Sequence, residues 1–265
     1  MLRRRFLALG ACAVAGALGG CTRAGGSGSG AAGGGAGPAA LSARPQAGSK
    51  TGSAAPLPEP GTRPLGVAAD RDALLHVPEG LPAGAPVPLV VVLHGAGGDA
   101  EAGLAVLRAP ADEHGLVLLA PASRGSTWDA VLGAYGPDVE VVERALSEVF
   151  AAVPVDAQRV GVAGFSDGAS YALGLGLANS DLFSSVVALS PGFVPRAAAG
   201  GRPRVFVAHG VHDEVLPIGS TSRRIVPDLR EDGYDVTHRE FDGGHVVPPE
   251  VAQEAVAWLG RDGTG

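Results

Sequence analysis

The chain has 265 residues and a formal net charge of −7, and its first sixty or so residues are almost all Ala, Gly, Ser and Pro. About 200 residues with apolar runs remain, enough for one sizeable core and too few for two ordinary domains. The net acidic domain beyond that segment has no basic block and so no electrostatic footprint for nucleic acid, and with both cysteines among the first 21 residues the remainder has neither a disulfide framework nor a thiolate metal site.

Residues 3–7 read Arg-Arg-Arg-Phe-Leu, and an apolar stretch from Leu7 to Leu18 follows. That stretch is too short to span a bilayer comfortably, and a basic start followed by such a run has the form of a secretory signal. Arg-Arg-x-Phe-Leu also resembles the twin-arginine export signal. Leu18-Gly19-Gly20-Cys21 resembles a bacterial lipobox. Residues 1–20 are therefore expected to be a signal peptide. Cys21 is expected to become the lipid-modified first residue of an exported chain, at the cell surface or secreted, whose only membrane contact is that anchor. Residues 21–61 are predicted to be a disordered tether, coil-like where Gly and Ser dominate and stiffer where Pro does. A catalytic domain is expected over 62–265.

Within that domain Leu65–Ala69 and Ala73–Val77 look like short strands joined by Asp70-Arg71-Asp72. Leu89–Leu93 and Leu116–Ala120 are continuous apolar runs, as strands buried on both faces of a parallel sheet require. Val160–Ala163, Ser185–Leu189 and Arg204–Ala208 are further runs, and Val236–Phe241 alternates as a strand near an edge does. Val139, Val142, Leu146, Val149 and Phe150 recur at helical spacing between Pro137 and Pro154. Helices are also predicted over 100–114, 167–179, 217–232 and 249–260. Alternating strands and helices imply an α/β domain, a mostly parallel central sheet with helices on both faces. Reactive residues in such a sheet gather just past the carboxyl ends of strands.

Four segments sit there. Gly164-Phe165-Ser166-Asp167-Gly168 is a Gly-x-Ser-x-Gly between a strand and a helix, where a serine on a sharp turn presents its oxygen. His209-Gly210-Val211-His212-Asp213-Glu214-Val215-Leu216-Pro217 follows the next-to-last strand, and Phe241-Asp242-Gly243-Gly244-His245 follows the last. Leu93-His94-Gly95-Ala96-Gly97-Gly98-Asp99 is a glycine-rich loop with no lysine to complete a phosphate-binding loop. The order Ser166, Asp213, His245 is that of a Ser-Asp-His triad on this kind of sheet, with Glu214 as a rival acid. His76, His114, His212 and His238 are read as surface residues. His94 and His209 are read as bonding loop backbone.

The His-Gly-x-x-Asp-x-x-x-Pro segment at 209–217 closely resembles that of the small α/β-hydrolase esterases, the carboxylesterase/phospholipase-like and dienelactone-hydrolase-like families. The resemblance covers residues 89–245, most of the domain. It implies an α/β-hydrolase fold and Asp213 as the triad acid. It also implies an oxyanion hole from the N–H of Asp167 and that of Ala96, with Gly97 as the alternative. Pro121 to Asp129 resembles a loop of the same esterases, and Ser190-Pro191-Gly192-Phe193 follows another strand and is expected to line the cleft; Trp128 and Phe193 are the candidates for substrate contact, with core packing the competing role for each. The chain departs from many relatives in carrying Asp167 after the serine, an acidic side chain that disfavours anionic substrates. No insertion is long enough for a large lid domain.

The resulting expectation is two-step cleavage of a small-molecule or polymer carboxylic ester through an acyl-enzyme, needing neither metal nor organic cofactor. Thioester or peptide cleavage by the same triad, and a non-catalytic binding lipoprotein on the same fold, are the alternatives.

Overall fold

The computed structural model describes residues 39–45, 57–196 and 200–260. The expected signal peptide, Cys21 and most of the expected tether lie outside them.

Eight strands form one sheet: β1 (Gly61–Pro64), β2 (Leu74–Val77), β3 (Val87–Leu93), β4 (Val117–Ala120), β5 (Val155–Phe165), β6 (Ser185–Leu189), β7 (Arg204–Gly210) and β8 (Val236–Phe241), in the spatial order β1-β2-β4-β3-β5-β6-β7-β8. β1–β2 and β2–β4 pair antiparallel, and every other pair is parallel. Among the described residues four α-helices connect them, α1 (Ala100–His114), α2 (Pro137–Ala152), α3 (Asp167–Ala178) and α4 (Ser222–Glu231), and α5 (Pro249–Leu259) follows the last strand. The mostly parallel sheet and its helices match the expected architecture, and no separate lid domain occurs among the described residues.

Strand alternation divides the core in two. Leu89, Val91 and Leu93 of β3, with Val205 and Val207 of β7, face α2, α3 and α4. Val90, Val92, Phe206 and Ala208 face the opposite way, onto α1 and α5. Successive side chains of a strand point to opposite faces, so continuous apolar runs are what a sheet covered on both sides demands. Helix ends follow local chemistry. Asp99 caps α1 by accepting the Ala102 N–H at 2.9 Å, and Gly115 ends it in the left-handed conformation at φ 64°. Pro137 opens α2.

The boundaries of α4, β5 and the first strand differ from the pattern-based expectation: α4 begins at Ser222, after a 3-10 turn over Ile218–Ser220, and not at 217. β5 begins at Val155, five residues before its apolar run, because Val155 pairs with Val87 beyond a register shift. The first strand is Gly61–Pro64, not Leu65–Ala69. The N–H groups of Gly66, Val67 and Ala68 turn inward onto the Asp72 carboxylate at 2.6–3.2 Å, so they cannot join a ladder. Arg71, in the same link, donates to Ser123 O at 2.6 Å and to Gly98 O at 2.5 Å. The link thereby braces two loops at the carboxyl edge of the sheet.

Part of the expected tether is bound to the domain. Residues 39–45 run as an extended strap in which Ala39, Leu41 and Ala43 are buried while Ala40 and Ser42 face out. The Asn179 side chain receives the Leu41 N–H and donates to Ala39 O, each at 2.8 Å. Glu143 accepts the N–H groups of Ser42 and Ala43, and Arg44 pairs with Asp181. A bidentate amide satisfies strap backbone that burial would otherwise orphan. Leu41→Ala is expected to lower the unfolding free energy by about 2 kcal/mol, read as a lower urea midpoint at unchanged slope. An unchanged midpoint would show that the strap does not hold its place in solution.

Candidate active site

Four loops that leave the carboxyl ends of β3, β5, β7 and β8 build the site. Ser166 lies between β5 and α3 with φ 58° and ψ −120°, a conformation an L-residue adopts only under constraint. The constraint is visible. The Ser166 N–H donates to Leu189 O at 2.9 Å, and its carbonyl accepts the Ser170 N–H at 3.1 Å. The flanking glycines are obligatory on distance alone: a Cβ on Gly164 would stand 2.2 Å from Gly168 O, and one on Gly168 would stand 2.2 Å from Leu93 O. Strand, turn and helix therefore meet at a separation that no side chain survives.

His245 follows the Gly243-Gly244 pair after β8, and its ring lies over Phe165 with centroids 4.8 Å apart. Its Nε2 is 2.8 Å from Ser166 Oγ and its Nδ1 is 2.6 Å from Asp213 Oδ2. The Asp213 side chain is fully buried. Its Oδ1 accepts the N–H groups of Val215 and Leu216 at 2.9 and 2.7 Å. Burial alone would push this carboxyl up, but the Leu216 N–H and His245 together hold it below the ordinary carboxylate value. An ionised carboxylate in that place fixes Nδ1–H on His245 and leaves Nε2 with a lone pair toward the hydroxyl. The geometry brings together a hydroxyl, an imidazole and a carboxylate in one hydrogen-bonded line. Glu214 is exposed, and Asp242 is exposed and pairs with His212.

The glycine-rich loop after β3 runs against the nucleophile: a Cβ on Gly95 would touch Ser166 Cβ at 3.4 Å. The Gly97 N–H, the alternative oxyanion donor, is committed to Ser126 O at 2.6 Å. His94 anchors it, donating from Nδ1 to Gly95 O at 2.7 Å and accepting the Ser123 N–H at Nε2 at 3.0 Å. Burial lowers the pKa of His94, in keeping with that neutral tautomer. Asp167 opens α3, and its carboxylate accepts Thr127 Oγ1–H at 2.6 Å, which turns the charge toward Thr127.

Trp128, a candidate for substrate contact, is sealed in the core. It is 0% exposed, its Nε1–H donates to His94 O at 2.8 Å, and its ring is packed between His94 and Tyr171, each 4.9 Å away. A buried indole needs an acceptor, and taking the His94 carbonyl makes Trp128 a clamp on the loop. Phe193 is 41% exposed and lines a cavity of about 460 Å³ between α3 and α4 with Gly174, Leu177, Arg196 and Arg224, a lining that does not include Ser166. Of the histidines expected at the surface, His76 is buried and His238 is half-buried. His76 lies between Thr62 Oγ1 at 2.8 Å and Asp112 at 2.7 Å, and His238 has a buried Nε2. His209 bonds the backbone of Leu216 as expected but also reaches Asp213 at 3.2 Å, a contact missed from sequence.

No protein-family model matches the chain. Over 159 residues it is 28% identical to the probable feruloyl esterase C of Aspergillus oryzae, a match covering 56% of this chain and 57% of that protein. The crystal structure of esterase PE8 is similar at a TM-score of 0.58 and 23% identity, over 70% of this chain and 95% of that one. An S-formylglutathione hydrolase from Agrobacterium tumefaciens is similar at a TM-score of 0.54 and 20% identity, over 71% of this chain and 88% of that one. With its open, mostly parallel sheet and the connections described above, this chain has the α/β-hydrolase fold.

Proposed function

We propose that the chain is a serine hydrolase of carboxylic esters. Ser166 Oγ attacks the ester carbonyl while His245 Nε2 takes its proton, and the carbonyl electron pair moves onto an oxygen held by the N–H groups of Ala96 and Asp167. Collapse breaks the acyl–oxygen bond, and His245 returns the proton to the leaving alcohol. Water, deprotonated by the same imidazole, then releases the acid and restores the serine. The observation that carries this reading is the line from Ser166 Oγ through His245 to Asp213, at 2.8 and 2.6 Å. The esterase names of the similar proteins agree with it.

The test is labelling by a fluorophosphonate with hydrolysis of nitrophenyl esters of short and long acyl chain, methyl ferulate and a thioester. Labelling at Ser166 with turnover of oxygen esters is expected. No labelling would mean a binding protein on this fold, and a thioester preference would move the assignment to the thioesterase alternative, which the S-formylglutathione hydrolase neighbour keeps in view. Export and lipid anchoring are part of the proposal. They rest on the twin-arginine-like start and on Cys21, and Cys21→Ser is expected to release the protein from membranes.

A further inference from the structure

Asp213 is held by more than His245. Its buried carboxylate faces a second imidazole, that of His209, with His209 Nε2 3.2 Å from Asp213 Oδ2. The same Nε2 lies 2.8 Å from Leu216 O, an acceptor only, so the proton of His209 is on Nε2. Nδ1 is then an acceptor, and Ser222 Oγ stands 2.6 Å from it as the donor. Every polar atom of this ring is engaged, and the ring itself is fully buried. Two backbone N–H groups donate to Asp213 Oδ1 and His245 Nδ1 donates to Oδ2, while the His209 N–H, bonded first to Leu216 O, stands 3.2 Å from the same Oδ2.

We propose that His209 is a positioning residue for the triad, a neutral N–H donor whose tautomer is set by Ser222 and the Leu216 carbonyl and which keeps Asp213 oriented toward His245. This rests on the assignment of Ser166, His245 and Asp213 as the catalytic groups. Burial first of all lowers the pKa of His209, as a permanently neutral donor requires. The titratable groups around it are Asp213 and His245 from the triad, with His238 and Glu240 from the neighbouring β8. The arrangement differs from a simple loop anchor in one respect: the donor that ties His209 to the Leu216 carbonyl also touches the carboxylate that catalysis uses. A carboxylate with one donor fewer can rotate out of line and places more of its charge on His245.

The experiment compares His209→Leu, His209→Gln and Ser222→Ala with the wild type, with kcat expressed per site titrated by fluorophosphonate. A wild type that neither labels nor turns over would defeat the triad assignment itself. With an active wild type, His209→Leu is expected to lower kcat by about 10- to 100-fold with KM little changed, and to move the acid limb of the rate profile to higher pH. His209→Gln, whose amide N–H can reach the same carboxylate, is expected to recover most of the rate and the wild-type profile. If His209→Leu does not fold, Ser222→Ala carries the test, since it keeps the imidazole and removes only the donor that fixes its tautomer. A fall in kcat of about threefold to tenfold is expected there. Wild-type kcat per titrated site and an unmoved profile in the folded variants would overturn the proposal.

Discussion

Ser166→Ala is expected to lower kcat by about 10⁴- to 10⁶-fold while leaving the fold and the urea midpoint unchanged. The alanine keeps the Cβ, so the strained φ of 58° and the bonds from Leu189 O and Ser170 N stay as they are. Only Oγ, the atom 2.8 Å from His245 Nε2, is lost. Any residual rate should come from the oxyanion donors and binding alone. His245→Ala should cost a similar factor, and the double variant little more, because the groups act as a unit. Ester hydrolysis by Ser166→Ala at near the wild-type rate, on protein free of contaminating esterase, would remove the serine from the mechanism.

The largest effect on the fold is expected at Gly168. Gly168→Ala would place a Cβ 2.2 Å from Leu93 O and 2.5 Å from His94 O, both backbone atoms at the end of β3. Neither can swing aside as a side chain could, so the start of α3 must move away from the sheet. That movement takes with it the Asp167 N–H and Ser166. The destabilisation should exceed about 3 kcal/mol, the upper part of the usual overpacking range, and appear as insoluble protein or a sharply lowered Tm. Gly219→Ala is the matched control, since a Cβ there meets nothing within 4 Å. A Gly168→Ala protein that is as stable and as active as the Gly219→Ala protein would contradict the described packing of β3 against α3.

Local structure is legible in the sequence where neighbouring residues decide the outcome. The apolar runs at β3, β6 and β7, the proline at the start of α2 and the Gly-x-Ser-x-Gly turn follow from side-chain periodicity and backbone sterics, which act over a few residues. No strand forms over Leu65–Ala69 for a reason of the same short range, the Asp72 carboxylate capturing three consecutive N–H groups. A carboxylate four to six residues downstream of candidate strand donors was a signal that could have been used. His209 and Asp213, four apart around the end of β7, offered another.

By itself, then, the chain's order of residues determined an alternating α/β domain, the turn that carries Ser166, and which hydroxyl, imidazole and carboxylate are available at strand ends. Only the tertiary structure decided their partners. His245 lies 79 residues from Ser166 and 32 from Asp213, and the strap at Leu41 finds Asn179 across 138 residues. It also decided that Trp128 is sealed behind the His94 loop and that Gly97 is committed to Ser126. Periodicity records which face of an element is apolar; it does not record which distant backbone carbonyl or N–H group will be waiting there, because that is set by how the layers close over one another.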